Sequence, residues 1–81
     1  MDEATLAAEK RLLMVYVLAA LGEASGPRSA EEVTRLVNGW RGPGSDLPQR
    51  TIRRHLIELE SRGLVARSVG DGGALWSIVP H

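Results

Sequence analysis

At Gly63 the spacing of apolar residues changes from every third or fourth position to every second, and no other feature limits the fold as much. Before the change, Ile52, Leu56 and Leu59 recur at helical spacing. After it, Leu64 to Val69 and Ala74 to Val79 are β-prone runs separated by Gly70-Asp71-Gly72-Gly73. Those turn residues are the types a positive-φ hairpin needs, so residues of about 64–79 are predicted to form two antiparallel strands. Trp76 and Ile78 share one strand face and are expected to pack on the preceding helix.

Upstream the pattern is helical throughout. Residues of about 3–21 contain few breakers, with Asp2 as N-cap and Gly22 as terminator. Leu6, Leu13, Val17 and Leu21 form the apolar stripe, Met14 and Leu18 widen it, and Lys10 and Arg11 lie off it. Gly26-Pro27 predicts a turn. Ser29 followed three residues later by Glu32 is a reciprocal capping box opening a second helix over about 30–38, with Val33, Leu36 and Val37 inward and Gly39 as its end. Residues 39–46 then form a long glycine-rich connection that includes Trp40, read as a lid over the core or as an anchor for a partner. A third helix is predicted over about 47–62, with Asp46 as cap, Pro48 in the first turn and Gln49 at the reciprocal position. Gly63 stops it, and Arg62 complements the helix dipole. The expectation is one domain over residues 1–81, mainly α with a small β-hairpin.

With 81 residues there is room for one core, near the lower limit for folding without staples. The absence of cysteine excludes disulfides and thiolate metal sites, and the only histidines are His55 and His81. No metal site and no cofactor are therefore expected. The longest apolar run, Leu12 to Leu21, is too short to span a bilayer, and its flanks do not read as a secretory signal. A cytoplasmic protein without a membrane partner is expected.

Ten basic residues balance ten acidic ones, which gives no global attraction to a polyanion. The distribution is uneven. Between Asp46 and Arg67 there are five arginines (50, 53, 54, 62, 67) against three acids (46, 58, 60). With Ile52, Leu56 and Leu59 turned inward, a step of about 100° per residue turns Arg50, Arg54 and Ser61 outward. Gln49, Thr51 and Arg53 flank the first turns. His55 sits beside the buried stripe and is read as partly packed rather than as a contact to a base or phosphate. Ile57 points outward with no core role and is assigned to an interface.

The segment Leu47 to Val65, LPQRTIRRHLIELESRGLV, resembles the recognition-helix segment of winged helix-turn-helix repressors of the MarR and ArsR type. The similarity lies in Thr51-Ile52-Arg53, His55-Leu56, Leu59-Glu60 and Gly63-Leu64-Val65. Pro27 to Val33 is also similar to the start of the first helix of that motif, so the likeness runs over roughly residues 12–79. It implies a winged helix of three helices and a two-stranded wing, with the third helix entering the major groove of duplex DNA. The implied contacts are Gln49, Arg50, Thr51, Arg53 and Arg54, with Arg67 on the wing stem and Arg28 and Ser29 at the start of the second helix. Arginine can read guanine and glutamine adenine. The wing tip departs from the pattern, because Asp71 stands where many relatives carry a cation. Fur-type domains also lengthen the connection before the third helix, but the histidines and cysteines of their metal sites are missing here, so metal sensing does not carry over.

The expected function is that of a small, sequence-specific, repressor-like regulator of transcription. It is expected to be a homodimer, since paired half-sites supply affinity that one small domain lacks, with the long first helix as dimer element. The alternative is a winged-helix protein–protein adaptor, favoured by zero net charge, Asp71 and Trp40. Tyr16, Trp40 and Trp76 are read as forming no aromatic platform, which disfavours single-stranded or RNA binding. Nothing in the spacing of Ser, His and Asp pairs a nucleophile with a base, and Gly42-Pro43-Gly44 is followed by no Lys-Ser/Thr, so no enzyme is expected.

Overall fold

A computed structural model describes residues 3–23, 26–44 and 46–80, without the side chains of Thr5 and Leu6. The expected cap at Asp2 and the stripe position of the Leu6 side chain lie outside the described residues. The elements run α1 (Glu3–Gly22), β1 (Arg28–Ser29), α2 (Ala30–Arg41), α3 (Gln49–Ser61), β2 (Val65–Gly70) and β3 (Gly73–Ile78).

The three helices close over one core. Met14, Val17, Ala20 and Leu21 of α1 meet Val33 and Val37 of α2, Ile52, Leu56 and Leu59 of α3, and Val65 and Trp76 of the sheet. The predicted stripes on α2 and α3 thus face inward, as do Met14, Val17, Leu18 and Leu21 of α1, whereas Leu13 is half-buried outside this cluster. α1 is apolar on its other side as well: Leu12 and Val15 are 52% and 59% exposed.

Helix α2 opens with the predicted capping box. The Glu32 N–H donates to Ser29 Oγ at 3.2 Å, and the Ser29 N–H donates to Glu32 Oε1 at 3.4 Å. Its end differs from expectation. The helix passes through Gly39 and stops after Arg41, with Gly42 at φ +91° donating to Asn38 O. Trp40 is therefore helical, and its ring stacks on Tyr16 of α1 with centroids 6.4 Å apart and planes 29° from parallel. That tertiary contact outweighs the modest helix penalty of Gly39. It also corrects the reading of the aromatic residues, since two of the three come together.

The start of α3 differs too. Asn38 donates from Nδ2 to Leu47 O at 3.0 Å and accepts from the Leu47 N–H at 2.9 Å. This amide bridge ties the Leu47 backbone to α2, and Pro48 after it is extended, so Asp46 is too far upstream to cap. The helix begins at Gln49, with Pro48 as N-cap and no side-chain cap bond. Its other end follows the prediction. Gly63, at φ +76°, donates to Glu60 O and Leu64 to Leu59 O, the paired bonds of a Schellman termination.

The sheet has three strands rather than two, in the order β1-β3-β2, all antiparallel. Strand β1 is two residues long, too short to show alternation, and it pairs Arg28 with Trp76 and Ser29 with Leu75. Trp76 lies in the core, 1% exposed. Against expectation, β3 rests mainly on α1 and α2, while α3 leans on β2. Ile78 is partly exposed beside Gly22, where an added Cβ would lie 3.5 Å from Ile78 Cδ1.

Candidate nucleic-acid interface

Five of the eight residues singled out from the sequence share one surface, the N-terminal half of α3. Gln49, Arg50, Arg53 and Arg54 are exposed, and Thr51 is half-buried. Among the described residues none of these three arginines makes an ion pair, although the chain carries as many acids as bases. The two acids of α3 are engaged elsewhere. Glu58 meets Lys10 of α1 at 3.4 Å and Arg62 at 3.1 Å, and Glu60 meets Arg67 of β2 at 3.5 Å. The arginine cluster is left without a local counter-charge.

The backbone adds to this field. The first turn of α3 contains no acidic residue and its N-cap supplies no side-chain acceptor. A helix N-terminus carries partial positive charge, which an acid in the first turn ordinarily offsets. Here three guanidinium groups follow within the first two turns. The arrangement is unfavourable to the isolated fold and favourable to an anion placed against it.

The other three candidate residues are separated from this surface by their own contacts. Arg28 pairs with Glu32 at 3.2 Å, and the Ser29 hydroxyl is spent on the α2 cap. The Arg67 guanidinium carbon lies 5.3 Å from the centroid of the Trp76 ring while its Nε meets Glu60. Arg28 and Arg67 flank Trp76 from opposite sides of the ladder, both directly paired with it. At the hairpin tip Asp71 is exposed, and Val69 beside it is 90% exposed.

His55 is buried at the edge of the core, as expected from its place beside the stripe. Burial lowers its imidazole pKa below the ordinary value; Glu58 opposes that shift, and Lys10 and Arg54 reinforce it. Two contributors to the field escaped the sequence reading. Lys10 and Glu58 stand far apart in the chain, and no local spacing links them. The Glu60–Arg67 pair depends on where the hairpin folds back. By contrast, Glu58–Arg62 has the ordinary four-residue spacing of a helical ion pair. Among the described residues, no group of three or more His, Cys, Asp or Glu could hold a metal ion.

Three helices with a small antiparallel sheet, the third helix exposed along its N-terminal half, define a winged helix-turn-helix. The sequence profile of the ribonuclease R winged-helix domain matches residues 15–75, and the chain belongs to that family. The winged-helix superfamily inferred from Leu47 to Val65 is thereby established. No curated protein matches the chain. Among solved structures, the ferric uptake regulator Fur of Helicobacter pylori, described as having three functional metal binding sites, is similar in fold. The TM-score is 0.69 at 19% sequence identity over 85% of this chain, which spans 46% of the Fur chain.

Proposed function

We propose that residues 1–81 act as one winged-helix module that binds double-stranded DNA, with α3 in the major groove, and serves as a small repressor-like regulator rather than an enzyme. The observation that carries this reading is the cluster Arg50, Arg53 and Arg54, without an ion pair among the described residues, on a helix whose two acids, Glu58 and Glu60, pair instead with Lys10, Arg62 and Arg67. Gln49 and Thr51 complete a set able to read base edges, with phosphate held by the same arginines and the α3 N-terminus. Arg28, Ser29 and Arg67 are supporting contacts in this reading, reached only if their present partners release them. The apolar outer side of α1, with Leu12 and Val15, serves as the homodimer surface that sets two α3 helices on adjacent half-sites. The module works in the cytoplasm; no described helix is long and apolar enough to cross a membrane.

A second reading takes RNA as the partner. It is favoured by the family, named for a domain of a ribonuclease, and by the Tyr16–Trp40 stack. Duplex RNA has a major groove too narrow for a helix, so this reading would use the aromatic pair and not α3. Fluorescence anisotropy at low salt with random duplex DNA, duplex RNA and single-stranded RNA separates the two. Preferential binding of duplex DNA, lost on Arg50→Ala and Arg54→Ala, supports the first. Preference for RNA, sensitive to Trp40→Ala, supports the second. Binding to none of the three leaves the protein–protein adaptor, for which zero net charge and Asp71 speak.

A further inference from the structure

Ile57 is an exposed β-branched residue, 47% accessible, and it is absent from the apolar residues that pack on the core. Its position on α3 is informative. Stepping about 100° per residue places Ile57 within about 20° of Arg50, with Ser61 and Arg54 to one side and Arg53 to the other. The one large apolar side chain on the outward face of α3 thus continues the face of Arg50, Arg53 and Arg54 one turn towards the C-terminus, with Arg53 and Arg54 on the turn before it. Glu58 and Glu60, at the edges of that face, are turned to Lys10, Arg62 and Arg67. An apolar protein partner is poorly served by a single apolar side chain with guanidinium groups on the turns before it. Duplex DNA fits both parts, because its major groove offers acidic phosphates at the walls and one apolar feature on the floor, the thymine 5-methyl group.

We infer that Ile57 is a specificity-determining residue that packs on a thymine methyl. The inference rests on the duplex-DNA reading above. The helix rises about 1.5 Å per residue, so Ile57 stands about 10 Å beyond Arg50 and about 6 Å beyond Arg53. At about 3.4 Å per base pair, its contact lies two or three base pairs from those of the arginines. The preferred site therefore contains a thymine at that distance from a guanine. No base carries a second methyl that could substitute for it, and a protein that touched only phosphate would show no such preference.

The test starts with selection of a preferred duplex from a randomised pool by the intact chain. Each thymine of that duplex is then replaced in turn by deoxyuridine, which removes the methyl and leaves every hydrogen-bonding group. One replacement should weaken binding about three- to fivefold, the worth of burying one methyl group. In Ile57→Ala the same replacement should have no effect, while affinity for random duplex DNA stays within about twofold of the parent. Ile57→Val, which keeps the branched methyl surface, should retain most of the deoxyuridine penalty. Thermal melting of each variant confirms that the exposed substitution leaves the fold intact. A parent chain that binds duplex DNA but is indifferent to every deoxyuridine overturns the role of Ile57 alone. An undiminished penalty in Ile57→Ala does the same. A parent chain that binds no duplex DNA overturns both this inference and the reading beneath it.

Discussion

Lys10 of α1 lies 3.4 Å from Glu58 of α3, so the first helix helps to set the charge on the surface of the third. Without that contact Glu58 would keep only Arg62, and part of its charge would face the groove-entering side beside Arg54. Lys10→Glu is expected to weaken binding of duplex DNA at low salt, with the loss shrinking as salt screens the added charge. Stability should change little, because the pair is exposed on the lysine side and such pairs contribute about 0–1 kcal/mol. The double variant Lys10→Glu with Glu58→Gln should recover part of the affinity. Salt titrations of the three proteins provide the check.

The arginines divide into two groups by what they touch. Arg50→Ala and Arg54→Ala should each cost about 1–3 kcal/mol of specific binding and alter stability by within about 0.5 kcal/mol. Arg67→Ala should behave in the opposite sense. It removes a cation from the Trp76 ring and a partner from Glu60, so the melting temperature should fall while binding drops less than in the α3 variants. Paired melting and anisotropy measurements distinguish the groups. A large affinity loss in Arg67→Ala without loss of stability would assign it to the interface after all.

The uncapped start of α3 leads to a trade between stability and binding. Gln49→Glu places an acid in the first turn, where none now stands. It should stabilise the fold by about 0.3–1 kcal/mol at low ionic strength. The same charge should repel phosphate and reduce affinity. Gln49→Ala serves as the control, since it removes the amide contact without adding charge. If the two variants bind equally well, the dipole end is not part of the interface.

His55 predicts how stability responds to acid. Its folded-state pKa is lowered, chiefly by burial, relative to the ordinary value of about 6.5. Above that pH the imidazole is neutral in both states and contributes no pH dependence. Below it the unfolded chain binds a proton that the folded chain resists, so stability falls as pH falls until the folded-state value is reached. Urea midpoints should decrease between pH 7.5 and pH 5.5 in the parent, and less steeply in His55→Leu. Equal slopes would show that the drop comes from other groups.

What could be read in advance was the short-range pattern. The Ser29–Glu32 box, the stop at Gly63, the inward stripes of α2 and α3 and the change of period at the hairpin each lie within a few consecutive residues, and each reappears in three dimensions. The discrepancies are of the opposite kind. α2 runs on to Arg41 because Trp40 finds Tyr16, and Asp46 does not cap because Asn38 holds Leu47. β1 exists because Trp76 and Leu75 arrive beside Arg28 and Ser29. For the candidate interface, the identity of the cations was legible, but which of them would be occupied was not. Arg67 is drawn into contact with Glu60 and Trp76 by the fold of the hairpin, whereas the partner of Arg28, Glu32, stands only four residues on.

The amide bridge from Asn38 to Leu47 also bears on how this domain could be altered. Because both backbone polar groups of Leu47 are held by one side chain of α2, the start of α3 is anchored to α2 directly and is expected to keep its aim when the path of residues 42–44 changes. A glycine-rich span relieved of that duty can change in length at small cost, since doubling a flexible loop adds only about 0.6 kcal/mol of closure entropy. Pro43 and Gly44 therefore mark a graft point where a tag, a fluorophore or a second domain could be inserted while α3 keeps its angle to the rest of the molecule.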